Sequence, residues 1–395
     1  MDRPLNIAHC VEAYPPAPGG MAEVVRQLSE RLVQMGHRVT VFTSSHLQRP
    51  PGPMNGVHVL GFPISGNAVD GIRGDTTPYL DVLHTGRFDV ITFFAAQQWA
   101  TDAALAHLEE LPGRKVMVPT GFSALHDPRW ASYYRSMPDR LAEMDLLVFL
   151  SHTYQDIAFA REHGLANLTV IPNGAAAEEF DSPPNHDLRA EHGIDNGRPL
   201  VLHIGGYSGL KGHREALRMF VRARGKDAVL VLVGNGVKAL ERFWQRHYSY
   251  ALLRARARWQ GKRILFLEMD RQRTVDALKQ ADLFLFPSQV ECSPIVLFEA
   301  MAAGVPFLSS RAGNAEEIAS WGQGGWTISG HRDGAGREHP DIAEGARLLD
   351  ELLGDPERRR AAGAAGRQAW CERFTWQHIA EQYGAAYQGL VQQGT

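Results

Sequence analysis

The chain of 395 residues is 44% hydrophobic and 22% charged, and its 41 basic and 44 acidic residues leave a formal net charge of −3. This length suggests two domains, the composition excludes a disordered or fibrous protein, and the charge balance argues against a nucleic-acid-binding protein. Three widely separated cysteines fit neither a disulfide framework nor a zinc site, so we expect a reducing compartment. Residues 1–20 show no basic segment followed by an apolar one, so we expect no signal peptide there, and no apolar run reaches the roughly 20 residues of a membrane span. We therefore expect a cytoplasmic protein, at most peripheral on the inner face of a membrane.

Short β-rich segments alternate with amphipathic helical patterns, which predicts an α/β protein with parallel sheets. The first unit of this kind has a strand at Leu5–Val11, a loop rich in Pro and Gly, a helix from about Met21 to Met35, and a strand at Arg38–Thr43. Further strands of the first domain are predicted at Val57–Phe62, Asp89–Phe94, Lys115–Pro119, Leu146–Leu150 and Leu168–Ile171.

A second series of the same type follows the polar segment Asp181–Arg198, which has little periodicity and is interpreted as a linker. It has a strand at Pro199–Ile204, a glycine-rich loop and a helix from about Gly212 to Ala223. Later strands are predicted at Ala228–Val233, Arg263–Leu267, Leu283–Phe286 and Pro306–Ser309, and later helices at Asp341–Leu353, Pro356–Phe374 and Phe374–Leu390. We predict two doubly wound, Rossmann-like domains, 1–180 and 181–374, each with a ligand crevice at the carboxyl edge of its sheet.

The segment from Glu291 to Glu299 carries the sharpest chemical feature. It follows a predicted strand, and Ser293 with Pro294 favours the start of a helix, with the serine as N-cap. The amides at that helix start would favour an anion such as a diphosphate. Glu299 lies in the second turn of an apolar stretch, where an ionised carboxylate needs polar partners that ligand hydroxyls would supply. A plain amphipathic helix with Glu299 at its edge is the alternative.

Two glutamates eight positions apart in this strand–loop–helix context resemble the motif of retaining GT-B glycosyltransferases of family 4, also called glycosyl transferases group 1. The resemblance covers nearly the whole chain and includes Tyr14-Pro-Pro, Gly19-Gly20-Met, Gly36-His37-Arg-Val-Thr-Val-Phe, Ile171-Pro-Asn-Gly174, Lys211-Gly212 and Phe374-Thr-Trp376. It implies the GT-B fold, two Rossmann-like domains facing a cleft, with a last helix at about 375–393 crossing back to the first domain.

The same resemblance implies sugar transfer from a nucleotide-sugar, with the donor bound by the second domain and the acceptor by the first. Glu291 would contact the hydroxyls of the donor sugar, and Glu299 would contact the ribose. The donor-binding residues expected from this segment are completed by Ser293, Pro294, Ile295 and Val296.

Lys211 stands at the start of a predicted helix, where a cation opposes the helix dipole unless a bound diphosphate reverses the sign. Three glycines before it would let the backbone approach phosphate closely: Gly205, Gly206 and Gly209. The family commonly has an arginine at the position of Gly206, so one cation of the expected clamp on the leaving group is missing. We predict that Arg311 or Arg214 substitutes; otherwise transfer is slow or the phosphates bind differently. A solvated surface lysine is the alternative for Lys211.

The first domain contributes two further candidates. The resemblance places Gly19 and Gly20 in a loop whose amides reach toward the diphosphate, although a tight turn alone would also explain them. The family's frequent histidine after a first-domain strand is absent here, where Thr120-Gly121-Phe122 follows the strand, and the nearest histidine is His126. The candidate catalytic residues are therefore His126, Lys211 and Glu291.

The chain contains no Asp-x-Asp sequence, so no ligand set for a metal-bridged diphosphate is visible and metal-independent transfer without a cofactor is expected. The predicted function is retaining transfer of a hexose-type sugar from a UDP- or GDP-sugar to a glycan or glycolipid acceptor. Two alternatives stay open: a nucleotide-sugar-binding protein with impaired catalysis, suggested by Gly206, and a nucleotide-sugar epimerase of the same architecture.

One basic and aromatic segment stands apart from these motifs. Between Arg242 and Arg263 there are seven basic residues, no acidic one and five interleaved aromatic residues. The segment could bind an anionic membrane surface or a lipid-diphosphate acceptor, while a solvated helix with aromatic residues packed inward is the alternative. A nucleic-acid patch is disfavoured by the charge balance elsewhere.

Overall fold

The computed structural model describes residues 3–235 and 248–393. The chain divides into two compact units, unit 1 (Met1–Asn173 with Trp376–Thr395) and unit 2 (Gly174–Thr375). The sequence-based boundary lay at 180/181. The structure places the intervening segment with unit 2, because Phe180 is buried in its core and the amide of Ala175 donates to the carbonyl oxygen of Phe374.

Unit 1 is built on a seven-stranded sheet in which every neighbouring pair of strands is parallel. The strands, in order across the sheet, are His58–Phe62, Arg38–Ser44, Asn6–Cys10, Val90–Phe94, Arg114–Val118, Leu146–Phe149 and Leu168–Val170. The central strand Val90–Phe94 is buried at all five positions, as expected of a parallel strand covered on both faces. A small antiparallel hairpin, Ser65–Asn67 with Gly71–Arg73, follows the first edge strand.

The α-helices of unit 1 are Gly20–Gln34, Thr77–Thr85, Trp99–Asp102, Ala131–Ala142, Gln155–Glu162 and Trp376–Gln392, with short 3-10 turns at Leu108–Glu110 and Pro128–Trp130. The C-terminal helix Trp376–Gln392 packs against the helix Gly20–Gln34. It is also fixed to the sheet by a buried hydrogen bond of 2.8 Å between the hydroxyls of Tyr387 and Thr92. The last helix of the chain is therefore part of the first unit.

Unit 2 contains a six-stranded sheet, again parallel at every neighbouring pair. Its strands, in order, are Arg263–Leu267, Val229–Val233, Leu200–Ile204, Leu283–Phe286, Phe307–Ser310 and Gly325–Ile328. Its helices are Ala177–Phe180, Leu188–Glu191, His213–Arg222, Tyr248–Trp259, Arg271–Lys279, Ile295–Ala302, Ala315–Gly322, Ile342–Gly354 and Pro356–Ala369, and a π-helical turn spans Trp370–Phe374. The predicted α/β class with parallel sheets is confirmed.

The interpretation of 181–198 as a linker is wrong. Asp187 caps a short helix by accepting from the amide of Ala190, and Leu188 is buried in the core of unit 2. Arg189 forms an ion pair with Asp282 at 2.8 Å. The segment is polar because it lies along the surface of unit 2, where side-chain hydrogen bonds and a few buried apolar side chains replace regular periodicity.

The basic segment 242–263 is described only from residue 248 onward. Arg242, Phe243, Trp244 and Arg246 lie outside the described residues. Lys262 is buried and donates to the carbonyl oxygens of Phe220 and Ala223. Burial lowers its pKa to about 8. Arg263 donates to the carbonyl oxygens of His192 and Gly193. These last two side chains therefore stabilise the fold and do not belong to a basic surface.

Candidate active site

The topological switch point of the unit 2 sheet lies between the strands Leu200–Ile204 and Leu283–Phe286. The strands that follow Leu200–Ile204 in the chain, Val229–Val233 and Arg263–Leu267, are added on one side of it. The strands that follow Leu283–Phe286, namely Phe307–Ser310 and Gly325–Ile328, are added on the other side. The loops that leave the carboxyl ends of these two neighbouring strands, 205–212 and 287–294, therefore start side by side. Ligands of doubly wound folds bind at this position.

Lys211 and Glu291, one from each of these loops, are in direct contact. The Nζ atom of Lys211 lies 2.7 Å from Oε1 of Glu291, and the hydroxyl of Ser288 donates to the same oxygen at 2.7 Å. The lysine side chain is 35% exposed and the glutamate 10% exposed. Two residues predicted from separate motifs thus form one partly buried charge pair, accessible to a ligand from the lysine side.

Backbone contacts hold the two loops in register. The amide of Gln289 donates to the carbonyl oxygen of Leu210 at 2.8 Å. Gly212 has φ = 78°, and a Cβ at this residue would overlap the carbonyl group of Pro287. Only glycine therefore permits this approach of the two loops. The glycine fixes the residue before it, Lys211, against the loop that carries Glu291.

Gly206, where the family commonly has arginine, is exposed and has an ordinary φ, and a Cβ there would meet no atom within 4 Å. The two predicted substitutes lie close to the two loops in the chain: Arg311 follows Ser310, whose hydroxyl donates to the carbonyl oxygen of Ser288, and Arg214 is the third residue after Lys211. Arg311 forms an ion pair with Glu316 at 3.1 Å, and Arg214 is an exposed residue of the first turn of the helix His213–Arg222. That either arginine reaches a bound diphosphate stays a prediction.

The helix that carries Glu299 begins one residue later than predicted. It spans Ile295–Ala302, with Pro294 in the N-cap position and no side-chain cap hydrogen bond. Ser293 is buried immediately before it and is not the cap. No side chain caps the first turn, in which the amide of Leu297 donates to the carbonyl oxygen of Pro294 at 3.1 Å. Ile295 and Val296 begin the first turn of the helix, and both are half-buried.

Glu299 has a protein partner that the sequence did not indicate. Its side chain is 7% exposed, and its Oε1 lies 2.7 Å from a guanidinium nitrogen of Arg271. The guanidinium also donates to both carboxylate oxygens of Glu179, at 2.8 Å and 2.5 Å. Burial acts to lower the pKa of Arg271, but the charges of the two glutamates outweigh it and raise that pKa above its ordinary value. A fixed cation, rather than ligand hydroxyls alone, compensates the buried carboxylate.

Arg271 could have been anticipated from its place in the chain. Asp270 follows the strand Arg263–Leu267 and caps the helix Arg271–Lys279, accepting from the amide of Arg273. The helix therefore starts at the same carboxyl edge of the sheet as Lys211 and Glu291. A cation in its first turn opposes the helix dipole, as Lys211 does, and this was the available signal.

Two histidines lie beneath the lysine. The rings of His203 and His213 are 4.3 Å apart, and both side chains are buried. Burial lowers the pKa of His213 to about 4, and burial together with His213 lowers that of His203 well below its ordinary value. Both rings are therefore neutral near pH 7, and the positive charge at this edge comes from Lys211 and Arg271 rather than from these histidines.

Unit 1 has its own switch point, between the strands Asn6–Cys10 and Val90–Phe94. The amide of Glu12 donates to the side-chain oxygen of Gln98 at 2.7 Å, which links the two loops there. Burial raises the pKa of Glu12 above its ordinary value. Gly19 and Gly20 begin the helix Gly20–Gln34, with Gly19 as the N-cap at φ = 147°.

Strained backbone is concentrated at the same edge of unit 1. Thr120 and Phe122 both have positive φ, as do two residues after the neighbouring strand, Ala95 and Gln97. The carboxylate of Asp156 holds this loop by accepting from the amide of Gly121 at 2.8 Å. His126 lies further along the loop as an exposed side chain. Residues held in sparsely populated conformations cluster at functional sites, which makes this loop a candidate for binding.

Within the described ranges, 3–235 and 248–393, no group of three His, Cys, Asp or Glu side chains is placed to hold a metal ion. None of the helices in the described part of the chain is both long enough and apolar enough to cross a membrane.

Two protein-family models match the chain: "Glycosyl transferases group 1" over residues 185–369 and "Glycosyltransferase Family 4" over residues 18–179. The chain belongs to the family 4 glycosyltransferases. The resemblance stated from the motifs is thereby confirmed, and so is the assignment of the chain as a glycosyltransferase enzyme.

Individual relatives agree with this assignment. D-inositol 3-phosphate glycosyltransferase from Xylanimonas cellulosilytica is 25% identical over 92% of this chain and 89% of its own length. With several other curated relatives, the match spans only about half of the relative's length, 49%, 50% and 46%.

Solved structures show the same fold. Sucrose-phosphate synthase from Thermosynechococcus elongatus superposes with a TM-score of 0.78 at 20% identity, covering 98% of this chain and 99% of that one. Anabaena HepE in complex with UDP and glucose superposes with a TM-score of 0.69 at 17% identity, covering 97% and 99%. The two Rossmann-like units of this glycosyltransferase are those of the GT-B fold.

Proposed function

We propose that this glycosyltransferase moves a hexose-type sugar from a UDP- or GDP-sugar to a glycan or glycolipid acceptor, with retention of configuration at the transferred carbon. The observation that carries the proposal is the pair of Lys211 and Glu291 at the switch point of unit 2, one side chain suited to a diphosphate and the other to sugar hydroxyls. A protein of the same fold fits this chemistry, since Anabaena HepE was solved in complex with UDP and glucose.

In the proposed mechanism, Nζ of Lys211 and the amides of the loop 205–212 bind the diphosphate and stabilise the charge that develops on the departing nucleotide. Glu291 accepts hydrogen bonds from the donor-sugar hydroxyls, and Glu299, oriented by Arg271, accepts from the ribose. Fixing the reacting sugar in this way lowers the barrier by orientation. No carboxylate is assigned as a covalent nucleophile. Unit 1 is proposed to bind the acceptor, with His126 as a candidate near the reaction, and the enzyme is proposed to be cytoplasmic.

The decisive experiment measures acceptor-dependent release of free UDP or GDP. A thermal-shift panel of UDP, GDP and their sugars identifies the donor, because selective binding raises the unfolding temperature by mass action. Lys211→Met removes one charge-assisted contact and should weaken donor binding roughly 10- to 150-fold. Lys226→Met is the matched control, since Lys226 is an exposed lysine before the strand Val229–Val233, at the opposite edge of the same sheet.

The results separate the transferase from its alternatives. Nucleotide release that needs an acceptor and is lost in Lys211→Met and Glu291→Gln supports the transferase. Tight donor binding without turnover would instead identify a nucleotide-sugar-binding protein, and an epimerised sugar formed without acceptor would identify an epimerase. Donor binding that is unchanged in Lys211→Met would contradict the proposed site itself.

The binding-protein alternative rests on Gly206, and the structure offers a direct test of it. Gly206→Arg should be accommodated without strain, because no atom lies within 4 Å of the added Cβ and φ is ordinary. If the missing cation limits catalysis, this variant should bind donor more tightly and release nucleotide faster, while Gly206→Met, which adds similar bulk without charge, should not. Equal behaviour of the two variants would show that another group already supplies the second cation.

A further inference from the structure

The helix Tyr248–Trp259 exposes large apolar side chains that a globular surface ordinarily covers. Leu252 is 57% exposed and Trp259 is 89% exposed. The helix packs against the helix His213–Arg222 and the strand Arg263–Leu267, and its Ala257 is buried. Its inner face is thus satisfied by the unit 2 core, and the two large apolar side chains are left on the outer face.

The exposed residues have a regular arrangement. Leu252, Ala255 and Trp259 follow i, i+3, i+7 spacing and form one stripe, opposite the buried Ala257. At 3.6 residues per turn, Arg256 lies about 70° to one side of the centre of the stripe and Arg258 about 90° to the other. Arg254 lies about 40° beyond Arg258 on the same side, and all three arginines are exposed. An apolar stripe thus runs between two cationic flanks.

We propose that this stripe, Leu252, Ala255 and Trp259, inserts into the interfacial region of an anionic lipid bilayer while Arg254, Arg256 and Arg258 bind the lipid headgroups. Charge complementarity selects this partner: Arg254, Arg256 and Arg258 lie in a sequence stretch, 242–263, that has no acidic residue, within a chain whose formal net charge is −3. Amphipathic helices with Trp or Leu between basic flanks lie in the plane of the membrane interface, and a tryptophan is suited to the headgroup level.

This membrane contact is independent of the donor site, which lies in the loops 205–212 and 287–294. It adds to the proposed function by bringing the enzyme to the surface on which a lipid-linked acceptor would reside. Its failure would leave donor binding and nucleotide release to a soluble acceptor intact, so the two proposals can fail separately.

Binding is measured by sedimentation with vesicles of phosphatidylglycerol and phosphatidylcholine, and with vesicles of phosphatidylcholine alone. Replacing Arg254, Arg256 and Arg258 by Gln should weaken binding to the anionic vesicles on the order of 100-fold, from about 1 kcal/mol per basic residue. The matched control replaces three exposed arginines of the same unit, Arg337, Arg347 and Arg360, by Gln. Both triple variants change the net charge equally, so they differ only in where the arginines lie. We expect only the first to lose vesicle binding.

Insertion of the stripe is tested separately with an environment-sensitive fluorophore. The label is attached at Ala255→Cys in a chain with Cys292 and Cys371 replaced by Ser, and it should shift to the blue on anionic vesicles. A chain with only Cys292 replaced carries the control label at Cys371, which is exposed on the same unit, and should show no shift. Trp259→Gln should reduce vesicle binding about tenfold through lost apolar burial.

Three results would overturn the proposal. The first is equal vesicle binding by the two triple-arginine variants. The second is an unshifted label at position 255 on vesicles that bind the protein. The third is that the wild-type protein does not bind vesicles but binds single-stranded RNA through the same three arginines.

Discussion

Three glycines of one loop allow backbone conformation and steric contact to be tested separately at the candidate donor site. Gly206 has an ordinary φ and open space around an added Cβ. Gly209 has φ = 81° but also open space, whereas Gly212 has φ = 78° and faces the backbone of Pro287 and Ser288. Alanine at Gly206 should therefore add neither backbone strain nor a steric clash. Alanine at Gly209 should add backbone strain alone, and alanine at Gly212 should add both.

The structure sets the expected magnitudes. A left-handed conformation costs an alanine about 1–2 kcal/mol, so Gly209→Ala should lower the free energy of unfolding of unit 2 by that amount. In Gly212→Ala, the added Cβ overlaps the carbonyl group of Pro287 and lies 2.9 Å from the amide nitrogen of Ser288. Moving the loops apart to ordinary contact distance, by about 1 Å, should add about 1–3 kcal/mol. Gly206→Ala should change stability by no more than about 0.5 kcal/mol.

The assay is urea unfolding followed by circular dichroism, combined with donor affinity and kcat/KM. The displacement in Gly212→Ala also moves Ser288 and Glu291 away from Lys211, and a misplacement of about 1 Å can cost about 100-fold in rate. Gly209→Ala should lose stability with little loss of kcat/KM below its unfolding transition. If Gly212→Ala proves as stable and as active as Gly206→Ala, the close approach of the two loops is not as described.

Further predictions follow from buried polar groups. Arg271→Leu leaves the carboxylate of Glu299 buried without its cation and should destabilise the protein by about 1–3 kcal/mol in urea unfolding and raise KM for the donor more than it lowers kcat. Burial raises the pKa of Asp156 to about 6, above its ordinary value near 3.8. Ionising this group in the folded state therefore destabilises the protein; the destabilisation is absent below about pH 4 and complete above about pH 6. The stability of wild type relative to Asp156→Asn should therefore fall between those pH values, by on the order of 3 kcal/mol, and a constant difference would contradict this. Tyr387→Phe should lose about 1–2 kcal/mol of unfolding free energy in urea unfolding, because it leaves the buried hydroxyl of Thr92 without its partner at 2.8 Å and removes a contact of 3.5 Å with Nε2 of His9. Adding Thr92→Val should cost little more, because the hydroxyl left without a partner is then removed.

The regular part of the fold was predictable because the inner parallel strands are buried on both faces and appear as short apolar runs, as in Val90–Phe94, Val229–Val233 and Leu283–Phe286. The strands Arg263–Leu267 and Leu283–Phe286 were predicted with the bounds that the structure has. The contact between Lys211 and Glu291 was implicit as well, since neighbouring parallel strands deliver their following loops to one edge of a sheet.

Long-range packing set the limit of such prediction. The segment 181–198 lacks periodicity because its partners are distant, for example Asp282 for Arg189. Lys262 was assigned to a basic surface because nothing local shows that its ammonium group reaches the carbonyl oxygens of Phe220 and Ala223. Arg271 was overlooked because its partners Glu179 and Glu299 come from two other elements of unit 2.

The absence of a cation at Gly206 is important for donor binding because the charged side chains of the candidate site are negative overall. Lys211 is paired with Glu291, and Arg271 is shared by Glu299 and Glu179, so these five side chains carry more negative than positive charge. A diphosphate brings further negative charge to this edge of the sheet. Its binding is favoured if Glu291 turns from the lysine toward sugar hydroxyls and if backbone amides or a further cation supply the remaining attraction. A donor that presents hydroxyls to Glu291 releases Lys211 for the phosphates, whereas a free nucleotide does not. The enzyme should therefore discriminate in favour of the complete nucleotide-sugar over UDP or GDP, and Glu291→Gln should weaken that preference.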